Sequence, residues 1–167
     1  AMTVSYIAGA QIDDMKHALE EFKQLDMREE ILTFGKTTIF CDCYNANPES
    51  TKAALDTFKV LIKEAPGLVI LGDMLELGDL SQKLHEEMGK TIQSYDFSHA
   101  VLIGNEMQYA YNELKNSSTK ADYFPSYEKA KKTLETLIPH FEWILLKGSR
   151  GMRLERVVDD FFKEERT

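Results

Sequence analysis

At 167 residues the chain can form one domain with its own core and a small appendage. With 43% hydrophobic and 29% charged residues it has an ordinary globular composition, and a formal net charge of −8 argues against nucleic acid or an anionic membrane as main partner. No apolar run approaches the ~20 residues of a membrane span and no secretory leader is recognisable, so a cytoplasmic protein is expected.

Residues 3–26 read as a helix, because Ile12, Met15, Leu19 and Phe22 recur at three and four, with Asp13 and Asp14 suited to its positive end. From Glu30 the pattern alternates, predicting a hairpin of residues 31–34 and 37–43 that turns at Gly35-Lys36. Gly35-Lys36-Thr37-Thr38 has the flavour of a phosphate loop. Glu30, however, stands where that motif needs its first glycine, and Thr37 opens a strand rather than a helix. No loop for ATP phosphates is therefore expected in this chain. Cys41 and Cys43 share one side of the strand and no nearby His completes a metal set, so reduced, partly buried thiols are expected.

Asn47 is a good N-cap and Pro48 fits the first helical position, opening a helix over 48–63 with Leu55, Phe58, Leu61 and Ile62 on one face. Residues 68–71 form a continuous apolar run, the pattern of a strand buried on both faces. Leu84, Met88, Ile92 and Tyr95 predict the next helix, residues 100–103 a strand, and residues 106–114 a shorter helix. Tyr123-Phe124 fits an edge strand ended by Pro125, after which Ser126 caps a helix that stops at Pro139. Residues 143–146 are the last strand, and Leu154, Val157, Val158, Phe161 and Phe162 line the last helix. The alternation predicts an α/β, Rossmann-like fold: a mostly parallel sheet of about six strands with helices on both faces.

Three turns carry the chemistry. Asp42, Asn45 and Asn47 follow the first long strand, at the carboxyl end where open α/β sheets bind nucleotides. Asp73 and Glu76 follow the buried strand within a loop bounded by Gly72 and Gly78; they suit a ligand amine or a metal, and equally a helix N-cap. Lys147-Gly148-Ser149-Arg150-Gly151 joins the last strand to the last helix. There Ser149 can cap the helix and Arg150 offers a planar fork to a carboxylate. Two cations at a helix's positive end oppose its dipole, which favours a ligand-binding role. His85-Glu86 begins like a zinc-protease motif, but Gly89 replaces the second ligand, leaving His85 as a local hydrogen-bonder on a helix surface or cleft.

Asp42-x-Tyr44-Asn45-Ala46-Asn47-Pro48 resembles the DSYNANP signature of the Mur ligases, specifically the members that add D-alanyl-D-alanine to the peptidoglycan precursor. Residues 71–78, the pair His85 and Gly89, and residues 147–150 resemble that family's LGDMxELG, HxxxG and KGSR segments in the same order. Cys41 departs from the family pattern, which often has a second acid there. The resemblance implies a C-terminal ligase domain over 28–167 and makes 1–27 a helical stub that closes a central ATPase domain; an ordinary N-terminal helix packed on the sheet is the other reading. It implies an ATP-dependent enzyme that phosphorylates the terminal carboxylate of UDP-N-acetylmuramoyl-tripeptide, whose acyl phosphate the amine of D-alanyl-D-alanine attacks. Arg28, Asp42, Asn45 and Asn47 would then face the nucleotide, and Asp73, Glu76, Lys147, Ser149 and Arg150 the dipeptide. ATP phosphates and Mg²⁺ would be held mainly by the central domain, the domain alone would be inactive, and the enzyme would act as a monomer. A folylpolyglutamate-synthetase-type domain and a non-enzymatic flavodoxin-like nucleotide-binding module are the alternatives.

Overall fold

The computed structural model describes residues 2–20 and 27–162. The N-terminal segment is not the single helix its periodicity suggests. Helix α1 (Met2–Ile7) and helix α2 (Ile12–Glu20) are separated at Gly9, whose φ of +92° lies where a helix cannot continue. The expected apolar position at Phe22 falls outside the described residues. Among the described residues, neither of the two apolar cores of the domain includes a residue of α1 or α2, though Met15 of α2 is buried.

The rest follows the predicted alternation closely. Strand β1 (Glu30–Phe34) turns at Gly35-Lys36 into β2 (Thr37–Asp42), so the sequence that hinted at a phosphate loop is a hairpin. Helix α3 (Pro48–Ile62), strand β3 (Gly67–Gly72), helix α4 (Ser81–Tyr95), strand β4 (His99–Ile103), helix α5 (Met107–Leu114) and strand β5 (Lys120–Phe124) follow. Helix α6 (Tyr127–Leu137), strand β6 (Trp143–Lys147) and helix α7 (Arg156–Phe161) complete the chain. Ser126 occupies the N-cap position of α6 in extended conformation, but its side chain makes no capping bond.

The sheet order is β1-β2-β6-β3-β4-β5, with β1 antiparallel to β2 and every other pair parallel. Alternate strand residues feed opposite cores, as a period of two requires. Val69, Leu71, Leu102 and Leu145 pack under α3, α4 and α5, whereas Leu68, Ile70, Val101 and Leu146 pack under α6 and α7. Strand β2 leads through α3 to β3, which is not its neighbour. The gap is filled by β6, which returns from β5 through α6 on the other face. That reversal sets the carboxyl ends of β2, β6 and β3 side by side, with Asp42 opposite Lys147 and Lys147 opposite Leu71. Such a switch point is where open α/β sheets leave a crevice.

A candidate ligand cleft at the carboxyl edge of the sheet

The pairing of β2 with β6 explains two of the predicted site residues at once. Asp42 Oδ2 lies 2.7 Å from Lys147 Nζ, with the two side chains 13% and 2% exposed. Lys147 also donates to the Asn45 carbonyl. A buried ammonium is tolerated only when paired and hydrogen-bonded, and here it has both. Lys147 is therefore buried and paired rather than presented at a helix terminus, since a 3₁₀ turn begins only at Arg150 and α7 at Arg156.

The β2–α3 turn presents Tyr44, which is 44% exposed, beyond the carboxyl end of β2. The Arg28 guanidinium lies over its ring, 4.0 Å from the centroid, and the Tyr44 N–H donates to the Met27 carbonyl at 3.1 Å. Arg150 reaches the same place: its Nη1 donates to Met27 Sδ at 2.8 Å and to Glu155 Oε1 at 3.2 Å, while the side chain stays 55% exposed. Asn45 is exposed, with Oδ1 accepting from Ala46 N at 2.8 Å. Asn47 is the N-cap of α3: its Oδ1 accepts from Ser50 N at 2.8 Å and Ser50 Oγ accepts from Asn47 N at 3.1 Å, a reciprocal capping box.

The loop after β3 is held from several sides. Asp73 Oδ1 accepts the N–H groups of Glu106 and Met107 at 3.1 and 2.9 Å, capping α5. Gly104 makes room for this. Its φ is +126°, and a Cβ there would sit 2.3 Å from the Asp73 carboxyl. Burial raises the Asp73 pKa, an effect only partly offset by those two backbone donors. Ser149 stands at the N-cap position of a short 3₁₀ turn (Arg150–Met152), but contrary to expectation its side chain makes no capping bond. Its Oγ accepts from Leu75 N at 2.8 Å and donates to the Ala46 carbonyl at 3.3 Å, bridging the other two turns. Glu76 is exposed at φ +66°. His85 hydrogen-bonds locally as expected, through Ser81, but it is fully buried rather than on a surface, and its ring also binds Met74. Its place was readable, since it stands three and seven residues before the core positions Met88 and Ile92.

Across residues 27–150 the chain matches a family model described as "Mur ligase, glutamate ligase domain". The chain belongs to the Mur ligase family. Over 156 residues it is 35% identical to a curated protein of Rickettsia prowazekii named UDP-N-acetylmuramoyl-tripeptide–D-alanyl-D-alanine ligase, covering 92% of this chain and 34% of that one. A solved structure of MurF from Acinetobacter baumannii superposes with a TM-score of 0.84 at 27% identity, over 95% of this chain and 35% of that one. MurF ligase from Thermotoga maritima, solved in complex with ADP, gives 0.75 at 26% identity, over 98% and 36%. A folylpolyglutamate synthase from the same organism gives 0.59 at 14% identity, a likeness of fold alone. The chain thus spans about a third of the length of these Mur ligases.

Within this Mur ligase domain the donor set suits the nucleoside end of a nucleotide. Asp42 keeps one carboxylate oxygen beyond the one on Lys147, and the stacked Arg28–Tyr44 pair offers a flat, cationic edge beside it. The described residues do not suit a metal: no group of three His, Cys, Asp or Glu side chains among them is arranged to hold one. Cys41 and Cys43 are buried free thiols with their sulfurs 3.7 Å apart, and their proximity and burial raise the Cys43 pKa well above the ordinary thiol range. No helix of the described residues is long and apolar enough to cross a membrane.

Proposed function

We propose that this chain is the C-terminal domain of an ATP-dependent amide ligase that adds D-alanyl-D-alanine to UDP-N-acetylmuramoyl-tripeptide in peptidoglycan synthesis. The observation that carries the reading is the meeting, at one switch point, of the three segments that resemble those ligases. The turns after β2, β3 and β6 are bonded to one another through Lys147 and Ser149. In the complete enzyme bound ATP supplies the phosphoryl group that turns a carboxylate oxygen into a good leaving group.

On this reading Asp42, Asn45, Arg28 and Tyr44 receive the nucleoside, and Arg150 and Glu76 face the dipeptide, its carboxylate and its amine respectively. Asn47, Asp73, Lys147 and Ser149 serve them from behind by fixing the turns. Residues 1–27 close a central domain that contributes the phosphate loop and Mg²⁺ ligands, and closure onto it excludes water from the activated carboxyl group. The enzyme works as a cytoplasmic monomer.

The test uses the complete enzyme, with phosphate release and dipeptide consumption followed together. Asp42→Asn should raise the KM for ATP by about tenfold, because charge-assisted bonds to hydroxyls are worth roughly 1.5–3 kcal/mol. Arg150→Ala should raise the KM for D-alanyl-D-alanine and leave that for ATP nearly unchanged. Equal losses for both substrates would place Arg150 at the nucleotide or at the link to the central domain instead. Phosphate release independent of the dipeptide, or steady ATP turnover by this chain alone, would overturn the assignment.

A further inference from the structure

None of the His85 ring is exposed, and burying an imidazole is costly unless both nitrogens find partners. Both do. Nδ1 lies 2.8 Å from the Ser81 carbonyl, one turn back along α4, and Nε2 lies 3.1 Å from Met74 N in the loop after β3. A backbone N–H can only donate and a carbonyl can only accept, so the ring proton sits on Nδ1 and Nε2 accepts. The next backbone N–H, that of Leu75, is held by a different element through Ser149 Oγ. Asp73, the residue before Met74, accepts Ser149 N at its carbonyl and the first N–H groups of α5 at its carboxylate. Ser81 closes the ring of contacts by donating to Glu106 Oε2 at 2.7 Å.

Residues 73–75 are thereby fixed by α4, by the start of α5 and by the β6–α7 turn. From Leu75 the chain becomes exposed, and Glu76 adopts the left-handed region that its side chain disfavours. The helix bearing His85 is a firm support. A Cβ on Gly89 would sit 2.5 Å from the Ala110 carbonyl, so α4 and α5 touch backbone to backbone.

We infer that His85 is a positioning residue for acceptor recognition: through the Met74 amide it sets the direction in which Leu75 and Glu76 leave the sheet to meet the dipeptide. The acceptor's identity rests on the ligase reading above. The imidazole touches no substrate; it acts through one backbone N–H.

The experiment compares wild type, His85→Leu and His85→Gln in the complete enzyme. Leucine keeps much of the bulk but cannot accept from Met74, whereas the glutamine amide oxygen can. His85→Leu should raise the KM for D-alanyl-D-alanine by about tenfold, equivalent to about 1.4 kcal/mol, and leave the KM for ATP within about twofold. His85→Gln should recover most of that loss. Amide hydrogen exchange at Met74 and Leu75 should speed up in His85→Leu and return toward wild type in His85→Gln, while the α5 amides stay protected. Equal rises in both KM values, or faster Met74 exchange with an unchanged dipeptide KM, would reduce His85 to a packing residue. Should His85→Leu not fold, a His85→Gln enzyme with both KM values raised alike would overturn the proposal equally well. A wild-type enzyme that ignores the dipeptide would instead remove the ligase reading and the acceptor role with it, even with the Met74 exchange pattern intact.

Discussion

Buried at 6% exposure yet capping α5, the Asp73 carboxyl feels two opposed influences. Loss of water favours the protonated form, the two backbone donors favour the ionised form, and burial wins, so the folded-state pKa lies above the unfolded one. The folded protein therefore holds this proton more tightly than the unfolded chain. The resulting stabilisation is complete below the unfolded value of about 3.9 and is lost as pH rises through the folded pKa. Asp73→Asn keeps the amide oxygen for Glu106 and Met107 but cannot ionise. Melting curves from pH 3 to 7 should show wild type losing stability relative to Asp73→Asn as pH rises, with Asp73→Ala less stable than Asp73→Asn throughout. A constant difference between wild type and Asp73→Asn across that range would refute the raised pKa. Asp42 carries the opposite lesson. The sequence placed it as a ligand carboxylate, and nothing in the spacing of two residues 105 positions apart announces that Lys147 shares it. Truncating Asp42 to alanine would strand a buried ammonium, a change that costs about 3–5 kcal/mol, so loss of binding there would be mixed with loss of fold.

The turns before α3 and after β3 show why some elements were legible and others not. Asn47 and Pro48 announce a helix start through local chemistry, and the structure shows the full reciprocal cap. Since the Asn47 carboxamide oxygen is occupied by Ser50 N, Asn47→Ala should lower stability by about 1 kcal/mol. In the complete enzyme it should leave the KM for ATP within about twofold; a tenfold rise with an unchanged melting temperature would make Asn47 a nucleotide contact instead. Ser149 looked like a similar cap and is not one, because its partners, Leu75 and Ala46, come from two other turns. The helical pattern over 3–26 failed at Gly9, a single residue whose backbone outweighs the apolar spacing around it. Periodicity reports which face of an element is apolar; it does not report where an element breaks or which turn a hydroxyl will reach.

At the scale of the molecule, the alternation of strands and helices dictated an open parallel sheet, while its strand order depended on long-range pairing that no local pattern records. Among the described residues neither core cluster draws on α1 or α2, although Met15 of α2 is itself buried. Deleting residues 1–26 should accordingly leave a folded domain whose melting temperature falls by no more than about 4 °C, the shift expected for a loss of about 1 kcal/mol in a domain of this size. Loss of the cooperative transition would show that the N-terminal helices belong to this domain and not to a neighbour. The position of β6 has a consequence for biosynthesis. Strands β2 and β3 meet only through β6, the last of the described strands in chain order. While residues 30–142 leave the ribosome, the nascent chain can form a β1–β2 hairpin and a β3–β4–β5 half-sheet, each with an open edge. Only when the segment ending at Lys147 emerges can it slide between them, seal both edges and give Asp42 its cation. Closure of the sheet and assembly of the candidate crevice thus both require β6, so a chain that stalls before Lys147 leaves two strand edges unpaired.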